Sequence, residues 1–220
     1  VMFGYSLNYL MDMEGAVIVD VEATPTRISK EVDATEIMLE RTEDRFGLKP
    51  GRIAGDVAYG TGEMLGWLVE RKIDPHIPVW DQSKVAPEGK FTRADFTYDK
   101  DRDVYTCPDG NLLTTSGRVD KTSTLKYLAK RSDCAKCPLK SKCTTGRERR
   151  VSRDVNQDAR DYTQTLMETD AYVSSSIQRK QIERLFGEAK HLHAMVRLRL
   201  RGLSGAKDEF LLTATIQNLK

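Results

Sequence analysis

The feature that most restricts the fold is a loss of regular periodicity from Lys84 to about Arg160, in a chain that is periodic on both sides of it. Short polar runs, glycine and proline replace long amphipathic segments there, and residues 95–99 and 103–110 predict only a small hairpin running into a turn. All four cysteines lie within it, Cys107, Cys134, Cys137 and Cys143, spaced C-x26-C-x2-C-x5-C. A small segment with little apolar content needs a cross-link to hold a shape. Cys-x2-Cys lets two thiolates reach one ion from a tight turn, and four thiolates match a closed tetrahedral zinc site. No secretory leader is read at the start, so a reducing cytoplasmic setting is expected and disulfides are the weaker explanation. A redox pair is disfavoured because the motif does not open a helix after a strand. Unliganded thiols remain the alternative.

The flanks read as α/β. Phe3, Tyr5, Leu7 and Tyr9 alternate with smaller or polar residues, and residues 16–23 are β-branched-rich, so 3–11 and 16–23 predict an antiparallel hairpin turning at Gly15. A helix is expected over about 32–46, stopped by Gly47 and Pro50. A short strand Arg52–Asp56, a helix over 62–71 and a proline-marked strand from Ile73 to Val79 follow. Strand, helix, strand, helix, strand implies a sheet with a parallel component. Three parts result: 1–83 as the first part of a core, 84–160 as an insertion, and 161–220 as the closing helices, the last over 204–219. Sites on such folds gather just beyond strand ends, where Asp56 stands; the plainer reading of an Asp there is a helix cap.

In residues 178–190, Ile182, Leu185, Phe186 and Ala189 fall at i, i+3, i+4, i+7, the period of a half-buried helix. Arg179, Glu183 and Lys190 project from one neighbouring stripe, a carboxylate between two cations. A solvated stripe would have the same spacing. Charge is divided unevenly: residues 1–117 hold 13 Lys+Arg against 21 Asp+Glu, and residues 118–220 hold 22 against 12. The basic half therefore offers a surface to a polyanion. Its clusters are Arg147, Arg149, Arg150 and Arg153, and then Arg197, Arg199 and Arg201, each of which could also be a solvated face. No apolar run reaches the length of a membrane span.

Arg-x3-Glu-x6-Lys at 179, 183 and 190, with Phe186-Gly187, resembles the segment around the last catalytic acid of bacterial insertion-sequence transposases, DDE enzymes with an RNase H-like fold. That family carries a Tyr three residues before the Arg; here the position is Ser176. Asp56-Val-Ala-Tyr59-Gly60 is similar to the family's Asp-x-Gly-Tyr around the second acid, with Ala for Gly. Tyr105-Thr-Cys107-Pro108-Asp-Gly110 and Cys134-Ala-Lys-Cys137-Pro138 resemble a subgroup with a four-cysteine insertion. The resemblance implies an RNase H-like mixed sheet with flanking helices, and DNA cleavage and strand transfer at transposon ends. Asp56 and Glu183 would be the acids; two such carboxylates call for a cation, and hard oxygen ligands suit Mg²⁺ or Mn²⁺. Arg179 and Lys190 would bind phosphates, as would Arg147, Arg149, Arg150, Arg197, Arg199 and Arg201. Double-stranded DNA is the expected partner, a homo-oligomer is possible, and the setting would be the bacterial nucleoid. The family's first acid lies on a strand that would precede Val1, so the chain is expected to be an inactive, N-terminally truncated fragment; Asp12 and Asp20 do not match that position. A central sheet strand would be missing with it. The competing class is a non-catalytic zinc-containing nucleic-acid-binding protein, and a third is a metal-dependent nuclease without strand transfer.

Overall fold

The computed structural model describes residues 4–26, 28–80 and 87–219, without the side chains of Ile28 and Ser29. The expected start of the hairpin at Phe3 and the boundary at Lys84 lie outside the described residues. The fold is α/β, and the chain divides into two compact units, Val1–Pro78 with Tyr162–Lys220, and Val79–Asp161.

The first unit begins with β1 (Tyr5–Asp12) and β2 (Val17–Pro25), an antiparallel pair whose register shifts between Leu10 and Met11. The turn between them needs a left-handed residue, which Ala16 supplies at φ 54°. Asp12 accepts from the backbone N–H groups of Glu14 and Gly15, so it builds this turn. Helix α1 (Ile28–Phe46) starts four residues earlier than the periodicity predicts. Strand β3 (Arg52–Ala54) pairs in parallel with β4 (Asp74–His76), which is shorter than the expected 73–79. Between them lies α2 (Gly62–Glu70), whose Thr61 cap accepts from the Met64 N–H and whose Met64, Leu65 and Leu68 are buried. The expected mixed sheet is divided. Among the described residues β1 pairs only with β2, and β3 only with β4.

Helices close this unit. Helix α8 (Gly202–Asn218) packs on β2 through Ala206, Phe210 and Ala214, in a core with Tyr9, Ile18, Val21 and Leu185. Its polar residues are equally specific. Gln217 accepts from the Tyr9 hydroxyl at 2.8 Å and donates to the Leu185 carbonyl at 2.8 Å, and Asn218 exchanges two hydrogen bonds with the Ile18 backbone. Arg41 on α1 clamps β2 by reaching Asp20 and Glu22, each at 2.7 Å.

The second unit is more regular than its sequence predicts. Five strands, β5 (Thr97–Asp99), β6 (Val104–Thr106), β7 (Leu112–Thr115), β8 (Thr124–Ala129) and β9 (Arg150–Asp154), form one antiparallel sheet in sequence order. Short strands with threonines carry little hydrophobic alternation, so the period-2 signal is weak even though Leu113 and Tyr127 are fully buried. Asp103 accepts from the hydroxyls of Tyr98 and Tyr127. Arg153 is a correction to the basic cluster. It is 8% exposed, lies over the Tyr98 ring at 3.8 Å and pairs with Asp158, so it is a core cation.

Candidate functional site

Asp56 follows β3 and caps a short 3-10 turn, Val57–Tyr59, accepting from the Ala58 N–H at 2.8 Å. The cap reading of this residue is thus realised, yet the carboxylate stays exposed. Its loop is pressed against the segment after β4. A Cβ on Gly60 would come within 2.8 Å of the Pro78 carbonyl oxygen, so only glycine fits without a shift.

The helix expected over 178–190 is α7 (Lys180–His191), and α6 (Asp170–Gln178) precedes it, joined to it at Arg179. Arg179 keeps helical dihedrals, φ −52° and ψ −28°, so the stripe survives the joint. Leu185 and Ala189 are buried, and Phe186 stacks on Tyr9 at 5.1 Å between centroids, which sets the roll of α7 against β1. Glu183 then stands in the first turn, exposed, with Arg179 Nη2 at 3.7 Å from Oε1. An ion pair this exposed contributes little stability, about 0–1 kcal/mol.

Asp56, Glu183 and Arg179 line one cavity of about 360 Å³, together with Tyr59, Ile182 and Phe186. Burial, and after it the charges of Glu31 and Asp56, push the Tyr59 phenol up. Arg52 lines the cavity as well and is not singled out by the sequence reading; its place at the start of the strand that leads to Asp56 is the signal that finds it. Asp20 is occupied by Arg41, and Asp12 lines a separate cavity of about 830 Å³.

The four cysteines are free and line one small cavity of about 20 Å³. Cys107 ends at a turn closed by the Gly110 N–H, with Gly110 at φ 81°. Cys134 lies on α3 (Arg131–Lys136), Cys137 ends that helix, and Cys143 ends α4 (Lys140–Cys143). Burial pushes the Cys143 thiol up; Arg149 opposes this, and the other three cysteines add to it. Burial also raises Cys137. Among the described residues no three or more His, Cys, Asp or Glu form a group that could hold a metal ion as they stand. The donors present are four soft thiols, the type that zinc takes, and two hard carboxylates, the type that Mg²⁺ takes.

The transposase DDE domain family matches residues 106–220, more than half of the chain. The chain belongs to that family. No curated protein matches it, and no solved structure does. The matched part of this transposase domain contains the four cysteines, Arg179, Glu183 and Lys190; Asp56 lies ahead of it.

The basic residues fall into different settings. Lys190, Arg197 and Arg201 line a third cavity, of about 1120 Å³, and Arg199 is exposed beside them in sequence. Phe186 lines both this cavity and the one with the two acids. Arg147 and Arg150 are exposed. Arg149 instead donates to the carbonyls of Cys143 and Phe91 and lies over the Phe96 ring at 4.9 Å, tying the cysteine lobe to the sheet. No helix among the described residues is long and apolar enough to cross a membrane.

Proposed function

We propose that this transposase domain carries a divalent-cation site for phosphodiester cleavage and strand transfer on duplex DNA, built on Asp56 and Glu183. The observation that carries the reading is one cavity lined by two carboxylates from separate elements and by Arg179, in a chain of the transposase DDE domain family. Mg²⁺ or Mn²⁺ held there would neutralise charge on the attacked phosphate and on the oxygens entering and leaving it. Asp56, fixed by its turn, and Glu183, fixed by the roll of α7, hold the cation. Arg179 gives up its weak contact with Glu183 to donate to a phosphate oxygen. Ile182 and Phe186 form an apolar wall that limits water at the reacting phosphate. Lys190, Arg197, Arg199 and Arg201 hold flanking phosphates, and Arg147 and Arg150 add a second contact region. Residues 1–83 and 161–220 serve as the catalytic core and 84–160 as a zinc-bound insertion, its ion held by Cys107, Cys134, Cys137 and Cys143. The four thiols around one cavity favour that part; taken alone, they are equally compatible with a non-catalytic zinc-containing DNA-binding protein.

Mn²⁺ broadening of NMR signals tests the acid site without requiring turnover. Signals around Asp56 and Glu183 should broaden selectively, and Asp56→Asn or Glu183→Gln should weaken Mn²⁺ roughly tenfold or more, since affinity follows ligand charge. Mn²⁺ binding unchanged in the double variant would overturn the reading. Nicking of supercoiled plasmid, where it occurs, should fall in the same variants while duplex binding persists.

A further inference from the structure

The connection between α7 and α8 is not a slack loop. Its Met195 N–H bonds the Ala189 carbonyl at 3.0 Å, and Met195 and Leu198 pack against the core that contains Tyr9, Leu185 and Phe210. The Arg199 and Leu200 N–H groups both donate to Glu209 of α8. Gly205 lets α8 start directly against Leu200, where a Cβ would stand 2.7 Å from the Leu200 Cβ. Ala194 makes the bend in left-handed conformation at φ 55°.

This anchoring leaves three large apolar side chains of the connection in solvent, Leu192 at 67%, Val196 at 80% and Leu200 at 52% exposure. A single exposed apolar residue needs no explanation. Val196 is the most exposed of them, it stands on a braced loop, and Val is stiff at χ1. Lys190, Arg197 and Arg201 line one cavity with Val196 and Glu31, Arg199 lies between the two arginines in sequence, and none of the four cations makes an ion pair among the described residues. Unpaired cations around an exposed apolar tip are complementary to a polyanion with an apolar interior. A duplex has both: phosphates outside, stacked bases within. An anionic lipid surface has the same two features, and the transposase family match decides for duplex DNA.

We propose that Val196, backed by Leu192, is a wedge that inserts at a base step of bound duplex DNA and opens it beside the acid cavity. The arginines grip the backbone on either side of the opened step. Because Phe186 is shared by the loop's cavity and that of Asp56 and Glu183, the opened step would lie next to the phosphate presented to the acids. The inference rests on duplex DNA being the substrate.

The test uses duplexes of about 30 base pairs carrying 2-aminopurine at successive positions, with and without a neighbouring mismatch. Wild-type protein should brighten one position and bind the mismatched duplex roughly tenfold more tightly, because unstacking is cheaper there. Val196→Ser should lose the brightening and the mismatch preference while keeping the salt dependence of binding; Val196→Leu should retain all three. Replacing Arg197, Arg199 and Arg201 by Ala should make the salt slope shallower by about 2.7. Full brightening by Val196→Ser, or none by wild type on a duplex it binds, would refute the wedge alone. No binding to any duplex at low salt would overturn the DNA reading along with it.

Discussion

The unit that carries the cysteines and the unit that carries the acids solve the same problem in opposite ways. In the first, five strands pair in one continuous antiparallel sheet, and its centre, Leu113 and Tyr127, is fully buried. In the second, four strands form two separate pairs, and β1 and β3 both line cavities of about 830 and 360 Å³. A strand edge facing a cavity leaves backbone donors and acceptors without strand partners, which is costly when they are buried. Thr42, 5% exposed on the wall of the larger cavity, has a hydroxyl with no hydrogen-bond partner among the described residues. The cohesion of the acid-bearing unit therefore falls on its helices and on the Arg41 clamp. What the difference teaches is that the cavity lined by the two carboxylates lies in the less self-sufficient half, where strand ends and helix starts are free to line it.

The largest expected effect would break the comparison from the cysteine side. If the thiols hold zinc, Cys134→Ser or a strong chelator should destabilise the lobe of α3 and α4 by on the order of 3 kcal/mol or more, since metal binding there is folding free energy. Cys107, Cys134 and Cys143 pack against the tyrosine core of the five-stranded sheet, but the sheet should survive, because its backbone pairing does not use the thiols. Metal analysis and near-ultraviolet circular dichroism check both parts. Zinc absent from wild type, with four reactive thiols, would mean the lobe stands on Arg149 and packing alone.

Amide exchange sharpens the contrast more directly. The N–H groups of Leu113 and Tyr127 should exchange at the global limit, and those on the cavity-facing edges of β1 and β3 at least about a hundredfold faster. Equal protection in both places would show that the cavities are closed in solution by something that satisfies the edges.

What could be read from the sequence divides along the same line. The hairpin, the parallel strands and the α7 stripe were readable because one buried face imposes a period of 2 or 3.6, as Tyr9, Leu185 and Ala189 show. That Asp56 and Glu183 line one cavity is legible in part because spacing and strand-end position carry information without tertiary contacts. Of the sheet in the cysteine unit, only the β5–β6 hairpin is legible from the sequence. Its strands are three to six residues long, and their stability comes from cross-strand tyrosines and from Arg153, whose burial inside a basic run no local pattern signals. Arg149 was misjudged for a related reason: its contacts, the Cys143 and Phe91 carbonyls, are a matter of tertiary folding.

The smallest expected effect concerns the clamp that substitutes for sheet continuity. Burial pushes the Glu22 carboxyl up, but hydrogen bonds and charges from Arg41 and Lys207 outweigh it, and the net shift is down. A carboxyl whose folded pKa lies below its unfolded value contributes stability above the unfolded value and loses it as pH falls through the folded one. The acid-bearing unit should therefore hold its clamp at neutral pH and weaken as pH drops below about 4.5, the ordinary value for the group. Arg41→Met keeps the alkyl packing and removes the charge, so it should cost about 1–2 kcal/mol at pH 7 and progressively less in acid. Methyl signals of Ile18 and Val21 would report this unit, and those of Leu113 and Val151 the other. A loss in Arg41→Met that is the same at pH 3 as at pH 7 would mean that packing, and not charge, joins α1 to β2.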